Sequence, residues 1–360
     1  MTSNRKVIDL FCGAGGLSLG AYLAGFTTAL AVDIDPRVTS SFQDNFPNSR
    51  LLLKNIADLS GSSLMTKAGL KKCECFGIIG GPPCQGFSLI GRRDSKDPRN
   101  SLIGHFFRMV REMSPAFFLM ENVPGILVGS ARGTLDNAMS DLRGYEVLGP
   151  VSVDASDFGA ATKRERVIVI GIRGGQIKLS DLAKHHVAVK STVRSAISDL
   201  PEPSEDGWGR YVRLKSLPDY ASRARELHDA LGTELLKIAV KSGRVSGLQP
   251  TVHTAKVRRR FSKVPAGTTD AISRCPRLSW DQLAPTLRAG TGPDRGSFQS
   301  IRPIHPTSDR VITVREAARI QGFPDWFKFH ETKWHSFRMI GNSVSPIMAQ
   351  GVLTAVSLGL

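Results

Sequence analysis

The stretch CFGIIGGPPCQGFS at residues 75–88 decides how the chain is expected to fold. Its first half is a short apolar run bounded by glycines, which predicts a buried strand of a parallel sheet. Pro82 and Pro83 stiffen the turn that follows, so we expect Cys84 at the carboxyl edge of the sheet, where open α/β folds bind ligands. A thiol there, followed by a basic segment at 91–99 typical of a lid, indicates a nucleophile. The alternative is a small buried cysteine that only fills space.

The bulk composition limits the class of protein and of partner. The chain has 360 residues, of which 41% are apolar and 22% charged, as in ordinary globular proteins. A formal net charge of +16 favours a polyanionic partner, and nucleic acid fits better than a membrane surface. A merely basic, solvated surface is the alternative. No apolar run predicts a membrane span or a signal peptide, and the five scattered cysteines predict neither zinc nor disulfides.

Short apolar runs alternate with helical patterns over the first half of the chain. We predict strands at 6–10, 27–32, 51–56, 75–79, 116–120, 145–148 and 167–172, a helix that follows the first glycine turn and ends near residue 24, and a helix at 100–113. This rhythm is typical of a doubly wound, mostly parallel sheet of the α/β class.

The rhythm stops after residue 173. Residues 251–310 contain eleven Lys or Arg against four Asp, which favours an irregular nucleic-acid-reading region over a disordered loop. Order returns with a predicted helix at 313–320, capped by Thr313 and Glu316, then a glycine–polar turn at 340–344 and a helix at 345–358. We therefore predict a catalytic domain at 1–175, a smaller irregular recognition domain at 176–309 and returning helices at 310–360.

Polar groups follow several predicted strands. The glycine turn at 11–16 lacks the third glycine of the dinucleotide fingerprint and is a weak signal for a nucleoside-containing cofactor. Asp33 closes the second strand, where it could accept hydrogen bonds from a ribose diol or cap a helix. Glu121 stands at the end of the fifth strand, where packing alone gives no reason for a carboxylate.

Together these blocks resemble the DNA (cytosine-5) methyltransferases of bacterial restriction–modification systems. The resemblance rests on DLFCGAGG at 9–16, GPPCQGFS at 81–88, ENV at 121–123, KRER at 163–166, REAARIQGFP at 315–324 and GNSV at 341–344. It implies the S-adenosylmethionine-dependent methyltransferase fold and methyl transfer to carbon 5 of a cytosine flipped out of a specific duplex sequence. The family's recognition region lies where residues 173–285 show no match.

The resemblance also implies site residues. Cys84 would attack carbon 6 of the base, Glu121 would protonate ring nitrogen 3, and Arg164 and Arg166 would steady the base. The residues implied to hold S-adenosylmethionine are Phe11, Cys12, Gly13, Ala14, Gly15, Asp33, Ile34, Asn55, Ile56, Pro83, Leu102, Asn342 and Ser343. This chain departs from the family at Ile34, usually aromatic, at Asn55, usually aspartate, and at Thr162, usually glutamine.

The expected partner is double-stranded DNA, without a metal or a membrane. We expect a cytoplasmic, nucleoid-associated monomer, with room for a cognate restriction endonuclease. Two alternatives stay open: a transfer-RNA cytosine-5 methyltransferase with the same motifs, and a catalytically inactive DNA-binding relative. The second is weakened because both Cys84 and Glu121 are present. A nicotinamide dehydrogenase is opposed by the PPCQ stretch at 82–85.

Overall fold

Seven strands form the central sheet in the computed structural model, which describes residues 5–71, 74–83, 101–289 and 302–360. The strands lie in the order β3-β2-β1-β4-β5-β7-β6. β7 runs in the direction opposite to the other six strands, so it is antiparallel to both β5 and β6. Their bounds are β1 Lys6–Leu10, β2 Thr27–Asp33, β3 Arg50–Leu53, β4 Gly77–Gly80, β5 Phe117–Asn122, β6 Tyr145–Asp154 and β7 Glu165–Arg173. The predicted α/β class with a mostly parallel sheet is confirmed.

Helices cover both faces of this sheet. All α-helices of the described residues, in chain order, are α1 Gly16–Leu23, α2 Phe42–Asn45, α3 Gly61–Ala68, α4 Ser101–Met113, α5 Ser130–Met139, α6 Leu179–Ala183, α7 Val193–Ile197, α8 Asp219–Ala224, α9 Glu234–Lys241, α10 Ala255–Phe261, α11 Val314–Gln321, α12 Lys333–Asn342 and α13 Pro346–Gly359. Side chains alternate along each strand, so Val7 packs with α1 and α13 while Ile8 packs with α3 and α4. Within the described ranges, no helix combines the length and the hydropathy that crossing a membrane requires.

Helices α1 and α13 approach each other closely. A Cβ at Gly20 would lie 2.3 Å from the Cβ of Ala349, so a larger residue there would push the two helices apart. The contact adds Met348 and Val352 to the core on that face of the sheet. The last helix is thereby part of the main core.

The element boundaries differ from the predictions in several places; the largest difference is β6, which runs to Asp154 instead of ending at 148, and three others lie near the site. The third strand ends at Leu53, because Asn55 caps a 3₁₀ turn at Ile56–Asp58 instead of continuing the ladder. Strand β5 extends to Asn122, so Glu121 lies within the sheet. The predicted turn at 340–344 is wrong in its first half, since residues 340–342 form the end of α12. The capped helix α11 is confirmed, with reciprocal bonds between Thr313 and Glu316.

The segment between β7 and α11, which we call the insertion, is irregular but packed. It contains the short helices α6 to α10 and a two-stranded antiparallel sheet of β8 Trp208–Arg210 with β9 Arg244–Ser246. Its Leu200 and Leu248 belong to the same apolar cluster as Phe42 and Trp326. The predicted division into three domains stays a prediction; this cluster shows that the insertion shares a core with the rest of the chain.

A buried ion network joins the insertion to α11. The Arg319 guanidinium, fully enclosed, donates to Asp325 at 2.6 Å and to Asp199, just after α7, at 3.1 Å. Burial raises the pKa of Asp325, but the attraction of Arg319 outweighs it and holds that pKa below its ordinary value. Asp199 also accepts from Arg225 at 2.5 Å. The network fixes how the insertion sits on α11.

Replacing Arg319 with methionine is expected to destabilise the fold strongly, because Asp199 and Asp325 would remain buried without their common partner. The expected loss is about 3–5 kcal/mol, measured as a shift of the urea unfolding midpoint. Arg194→Met is the matched control. It removes an ion pair with Asp281 in which both side chains are more than half exposed, and it should cost no more than about 1 kcal/mol. Equal losses in the two variants would contradict the assignment.

Candidate active site

The carboxyl end of β5 meets the turn that precedes Cys84. A Cβ at Gly81 would lie 2.9 Å from Glu121 Oε2, so only a glycine lets the turn pass this close to the carboxyl group. Pro83, half-buried, is the last described residue of the turn. Cys84 and the predicted lid at 91–99 lie outside the described residues.

Asn122 holds this turn in place. Its buried amide donates to the Pro82 carbonyl at 2.9 Å and accepts from the Val123 amide at 2.9 Å. Asn122 was not among the predicted site residues, although it follows Glu121 directly. The available signal was a second polar side chain at the buried end of an apolar strand, which requires a hydrogen-bond partner.

Glu121 is paired with Arg166. Because β7 runs antiparallel to β5, its first residues lie beside the last residues of β5, and Arg166 Nε reaches Glu121 Oε1 at 2.7 Å. Both side chains are only 10% exposed. Burial raises the pKa of Glu121, while the charges of Arg166 and Arg164 partly offset that rise. The carboxyl group therefore keeps a proton more readily than an exposed glutamate does.

Arg164 lies deeper than its predicted role requires. Its guanidinium has no exposed surface and donates to the carbonyls of Leu287 at 3.1 Å, Gly341 at 2.8 Å and Ser343 at 2.7 Å. These contacts tie the end of the insertion to the turn after α12. They favour an indirect role over the direct contact with the base that the resemblance implies, since the described partners of Arg164 are all backbone groups of this chain.

Hydrogen bonds join the segment before Arg164 to the end of the insertion. The Thr162 hydroxyl donates to the Ala284 carbonyl at 3.1 Å, and the Thr286 hydroxyl donates to the Lys163 carbonyl at 2.6 Å. The Lys163 amide donates to Ala284 at 2.8 Å. Thr162 stands where the family usually has glutamine, and in this chain its side chain binds the backbone of the insertion.

The glycine turn after β1 lies at the same sheet edge. We call the region around this turn, to which the predicted cofactor residues belong, the cleft. Phe11, Gly13 and Gly15 all have positive φ angles, of 61°, 52° and 93°. A Cβ at Gly13 would meet no atom within 4 Å, whereas one at Gly16 would lie 2.1 Å from Ser343 Oγ. The turn is therefore packed against the segment after α12 on one side and open at Gly13, as a backbone cradle for a ligand would be.

Asp33 braces this turn. One carboxylate oxygen accepts from the Gly13 amide at 2.9 Å and the other accepts from the Asp35 amide at 2.9 Å. Burial raises the pKa of Asp33, and the bonds from backbone amides partly offset the rise. Ile34 is 66% exposed, so an apolar side chain stands uncovered beside the cleft.

The other predicted cofactor residues occupy different depths around the cleft. Asn55 Oδ1, expected to face an adenine amine, accepts instead from the Ala57 amide at 3.1 Å, so that contact would have to be shared. Ile56 is buried beneath it, and Leu102 is half-buried in the first turn of α4. The remaining members are the buried Cys12, Ala14 and Ser343 and the exposed Asn342.

No cluster of three or more His, Cys, Asp or Glu side chains suited to a metal occurs among the residues that the structure describes. The charged groups of the site are the carboxylates and arginines described above.

A seven-stranded sheet of order β3-β2-β1-β4-β5-β7-β6, in which β7 alone runs against the other strands, is the S-adenosylmethionine-dependent methyltransferase fold. Comparison with protein families is more specific: the model of the C-5 cytosine-specific DNA methylases matches residues 5–357. The chain belongs to that family. It is an enzyme that transfers methyl groups to carbon 5 of cytosine in DNA.

Individual relatives agree. The type II methyltransferase M.XorII of Xanthomonas oryzae is 42% identical over 96% of this chain and 82% of its own length, and M.DdeI of Desulfomicrobium norvegicum is 32% identical over 98% and 88%. A crystal structure of a candidate DNA modification methyltransferase from an E. coli prophage superposes with a TM-score of 0.86 at 38% identity, covering 99% of each chain. The S. pombe Dnmt2 methyltransferase, at 17% identity and a TM-score of 0.63, over 98% of this chain and 97% of its own, shares the fold.

Asp9 provides a test of how the cleft is built. It is fully buried, accepts from the Ser18 hydroxyl at 2.6 Å and has a second carboxylate oxygen without a partner among the described residues. Burial raises its pKa from 3.8 to about 7. In the folded chain Asp9 therefore holds a proton between about pH 4 and pH 7, where the unfolded chain has lost it, and its contribution to stability falls as the pH rises through that window.

Asp9→Asn removes this titration. The melting temperature of the variant, relative to that of the unchanged chain, is expected to rise between pH 5 and about pH 7 and to level off above it. Over that range only the unchanged chain takes up a proton on folding, which becomes more costly as the pH rises. Other titrating groups are common to both chains and cancel in the difference. A difference that does not vary with pH would show that Asp9 is ionised throughout.

Proposed function

We propose that the enzyme methylates one cytosine of a specific duplex sequence after flipping it out of the helix, through a transient bond between Cys84 and carbon 6 of the base. The observation that carries this proposal is the buried Glu121–Arg166 pair at 2.7 Å, in contact with the turn that leads to Cys84. A stacked base could not reach a carboxyl group enclosed in this way, so the base has to leave the stack.

The chemistry assigns a separate task to each side chain. The Cys84 thiolate adds to carbon 6, while Glu121 donates a hydrogen bond or a proton to ring nitrogen 3, and carbon 5 becomes nucleophilic. S-adenosylmethionine supplies the electrophilic methyl group that carbon 5 takes up. The proton on carbon 5 then passes to water, the Cys84 sulfur leaves as a thiolate, and ring nitrogen 3 returns its proton to Glu121, which restores the aromatic ring. Arg166 orients the Glu121 carboxyl throughout, and Arg164 acts through the backbone segments that it ties together.

The cleft along the glycine turn would hold the cofactor. The open side of Gly13 suits the methionine part near Asn342 and Ser343, and Asp33 remains able to accept from ribose hydroxyls through its free lone pairs. Ile34, exposed at the edge, would cover the adenine, and Asn55 and Ile56 would meet its edge with help from Pro83 and Leu102. Phe11, Cys12, Ala14 and Gly15 complete the floor. Burial raises the pKa of Cys12, so its thiol stays protonated and packs rather than reacts.

The insertion would supply sequence recognition. Helix α10 exposes cations that form no ion pair with a carboxylate in the described part of the chain, namely Lys256, Arg258 and Arg259. Such cations suit contacts with DNA phosphates. The hydrogen bonds from Thr162 and Lys163 to the Ala284 carbonyl connect the insertion to the active site. In this proposal the recognition domain is the one predicted at 176–309.

We also infer the setting of the enzyme from its relatives. The type II methyltransferases among them suggest a restriction endonuclease that cuts the same sequence, with this chain acting as a monomer in the bacterial cytoplasm close to the nucleoid. The transfer-RNA alternative finds less support. The family model that matches is that of cytosine-specific DNA methylases, and M.XorII and M.DdeI, both more than 30% identical, are type II methyltransferases.

The covalent step predicts trapping by duplex DNA that carries 5-fluorocytosine at the target position. The fluorine cannot leave as a proton does, so the adduct should persist and survive denaturing electrophoresis when S-adenosylmethionine is present. Cys84→Ser should abolish both trapping and turnover while keeping DNA affinity within about threefold. Cys275→Ser, a half-buried cysteine of the insertion, is the control and should trap like the unchanged chain. Persistent turnover of Cys84→Ser would end this mechanism.

The acid role of Glu121 predicts a shift in the pH profile. Arg166→Gln removes the charge that lowers the pKa of Glu121, so the carboxyl stays protonated to higher pH and the alkaline limb of kcat should move upward. The maximal rate should fall by about 10²-fold, since the orienting partner is lost. Glu165→Gln, at an exposed neighbour on β7, is the control and should leave the limb in place. If Glu121 acted as an anion instead, Arg166→Gln would move the acid limb upward and leave the alkaline limb in place, and the acid role would be refuted.

A further inference from the structure

Helix α4 fastens the segment that we assign to the adenine edge, and one of its arginines makes most of the connection. Arg108 Nη2 donates to the Ile56 carbonyl at 3.1 Å, and Nη1 donates to the Leu59 carbonyl at 2.9 Å. These carbonyls bracket the 3₁₀ turn at Ile56–Asp58, about fifty positions earlier in the chain. One planar guanidinium thus fixes both ends of the turn.

The guanidinium is itself held in place. Its Nη1 also donates to Glu112 Oε1 at 2.8 Å, one helical turn further along α4, and its Nε donates to His105 Nδ1 at 3.2 Å. The Arg108 side chain is 29% exposed, so the pair with Glu112 alone would contribute little to stability. Its importance lies in where it points the remaining N–H groups.

Glu112 continues the same connection to the next helix. Its Oε2 accepts from the Gly61 amide, the first residue of α3, at 2.5 Å. A Cβ at Gly61 would lie 2.7 Å from Met113 and 2.8 Å from Glu112, so the close approach of α3 to α4 depends on glycine. Arg108 and Glu112 together clamp the chain from Ile56 to Gly61 against α4.

We infer that Arg108 is a positioning residue for the cofactor: it holds Asn55 and Ile56 in the conformation that meets the adenine edge, and so sets the affinity for S-adenosylmethionine without touching it. This inference rests on the proposed function, in which Asn55 and Ile56 face adenine. Asn55 fixes the start of the turn through Ala57, and Arg108 fixes it from the opposite side. Leu102, two turns earlier on α4, lies in the same cleft, so the helix carries both a wall of the cleft and its brace.

The test compares Arg108→Met with Arg111→Met. Arg111 lies on the same helix, is exposed and donates to the Ala138 carbonyl at 3.2 Å, away from the turn, so its loss removes the same charge without freeing Ile56. Arg108→Met should raise the KM for S-adenosylmethionine about tenfold, with kcat and the KM for DNA within about twofold of their original values. Calorimetric titration with S-adenosylhomocysteine should show the same weakening in the absence of turnover. Arg111→Met should change neither.

A second variant covers the case in which Arg108→Met does not fold. Glu112→Gln keeps the length of the side chain but weakens both of its bonds, and it should weaken S-adenosylhomocysteine binding by about threefold. The inference is overturned if cofactor affinity is unchanged in both variants, or if Arg111→Met loses as much as Arg108→Met. Failure of the proposed function is distinguishable, because the unchanged chain would then neither bind S-adenosylhomocysteine nor methylate DNA.

Discussion

The site depends on the contact between a strand that runs with its neighbours and one that runs against them. Because β7 is antiparallel to β5, its first residues arrive at the sheet edge where β5 ends, and Arg166 meets Glu121 inside the protein. Had β7 been parallel, its opening cations would lie at the far edge of the sheet. The direction of one strand therefore decides whether the buried carboxyl has a cationic partner.

The loops around the site are held in place mainly by hydrogen bonds from side chains to backbone carbonyls. Arg164 binds three carbonyls from two distant segments, Arg108 binds two from another, and Asn122 binds one in the turn before Cys84. Each of these side chains donates to carbonyls in a loop, in a short 3₁₀ turn or at the end of a helix, where an unpaired acceptor would be costly. Irregular loops at this edge are fixed by side-chain donors rather than by extension of the sheet.

Local patterns predicted local structure well. The cap of α11 could be predicted because Thr313 and Glu316 are three residues apart, and the glycine turn because consecutive glycines permit positive φ angles. The enclosure of Arg164 could not be predicted, since an arginine that faces a base and one that binds distant carbonyls look the same in sequence. For the same reason Asn122 was left without a role, and the contact of Asn55 with Ala57 was missed. These outcomes depend on which segments the fold brings together.

The contact between α1 and α13 has a consequence for how the enzyme is made on the ribosome. Met348 and Val352 cover the face of the sheet against which α1 packs, and they are translated after the whole insertion. Until α13 leaves the ribosome, that face stays exposed to water and the glycine turn, which leads into α1, lacks its support. A nascent chain with its strands and insertion already synthesised should therefore remain inactive, and methylation begins only once the final helix has docked.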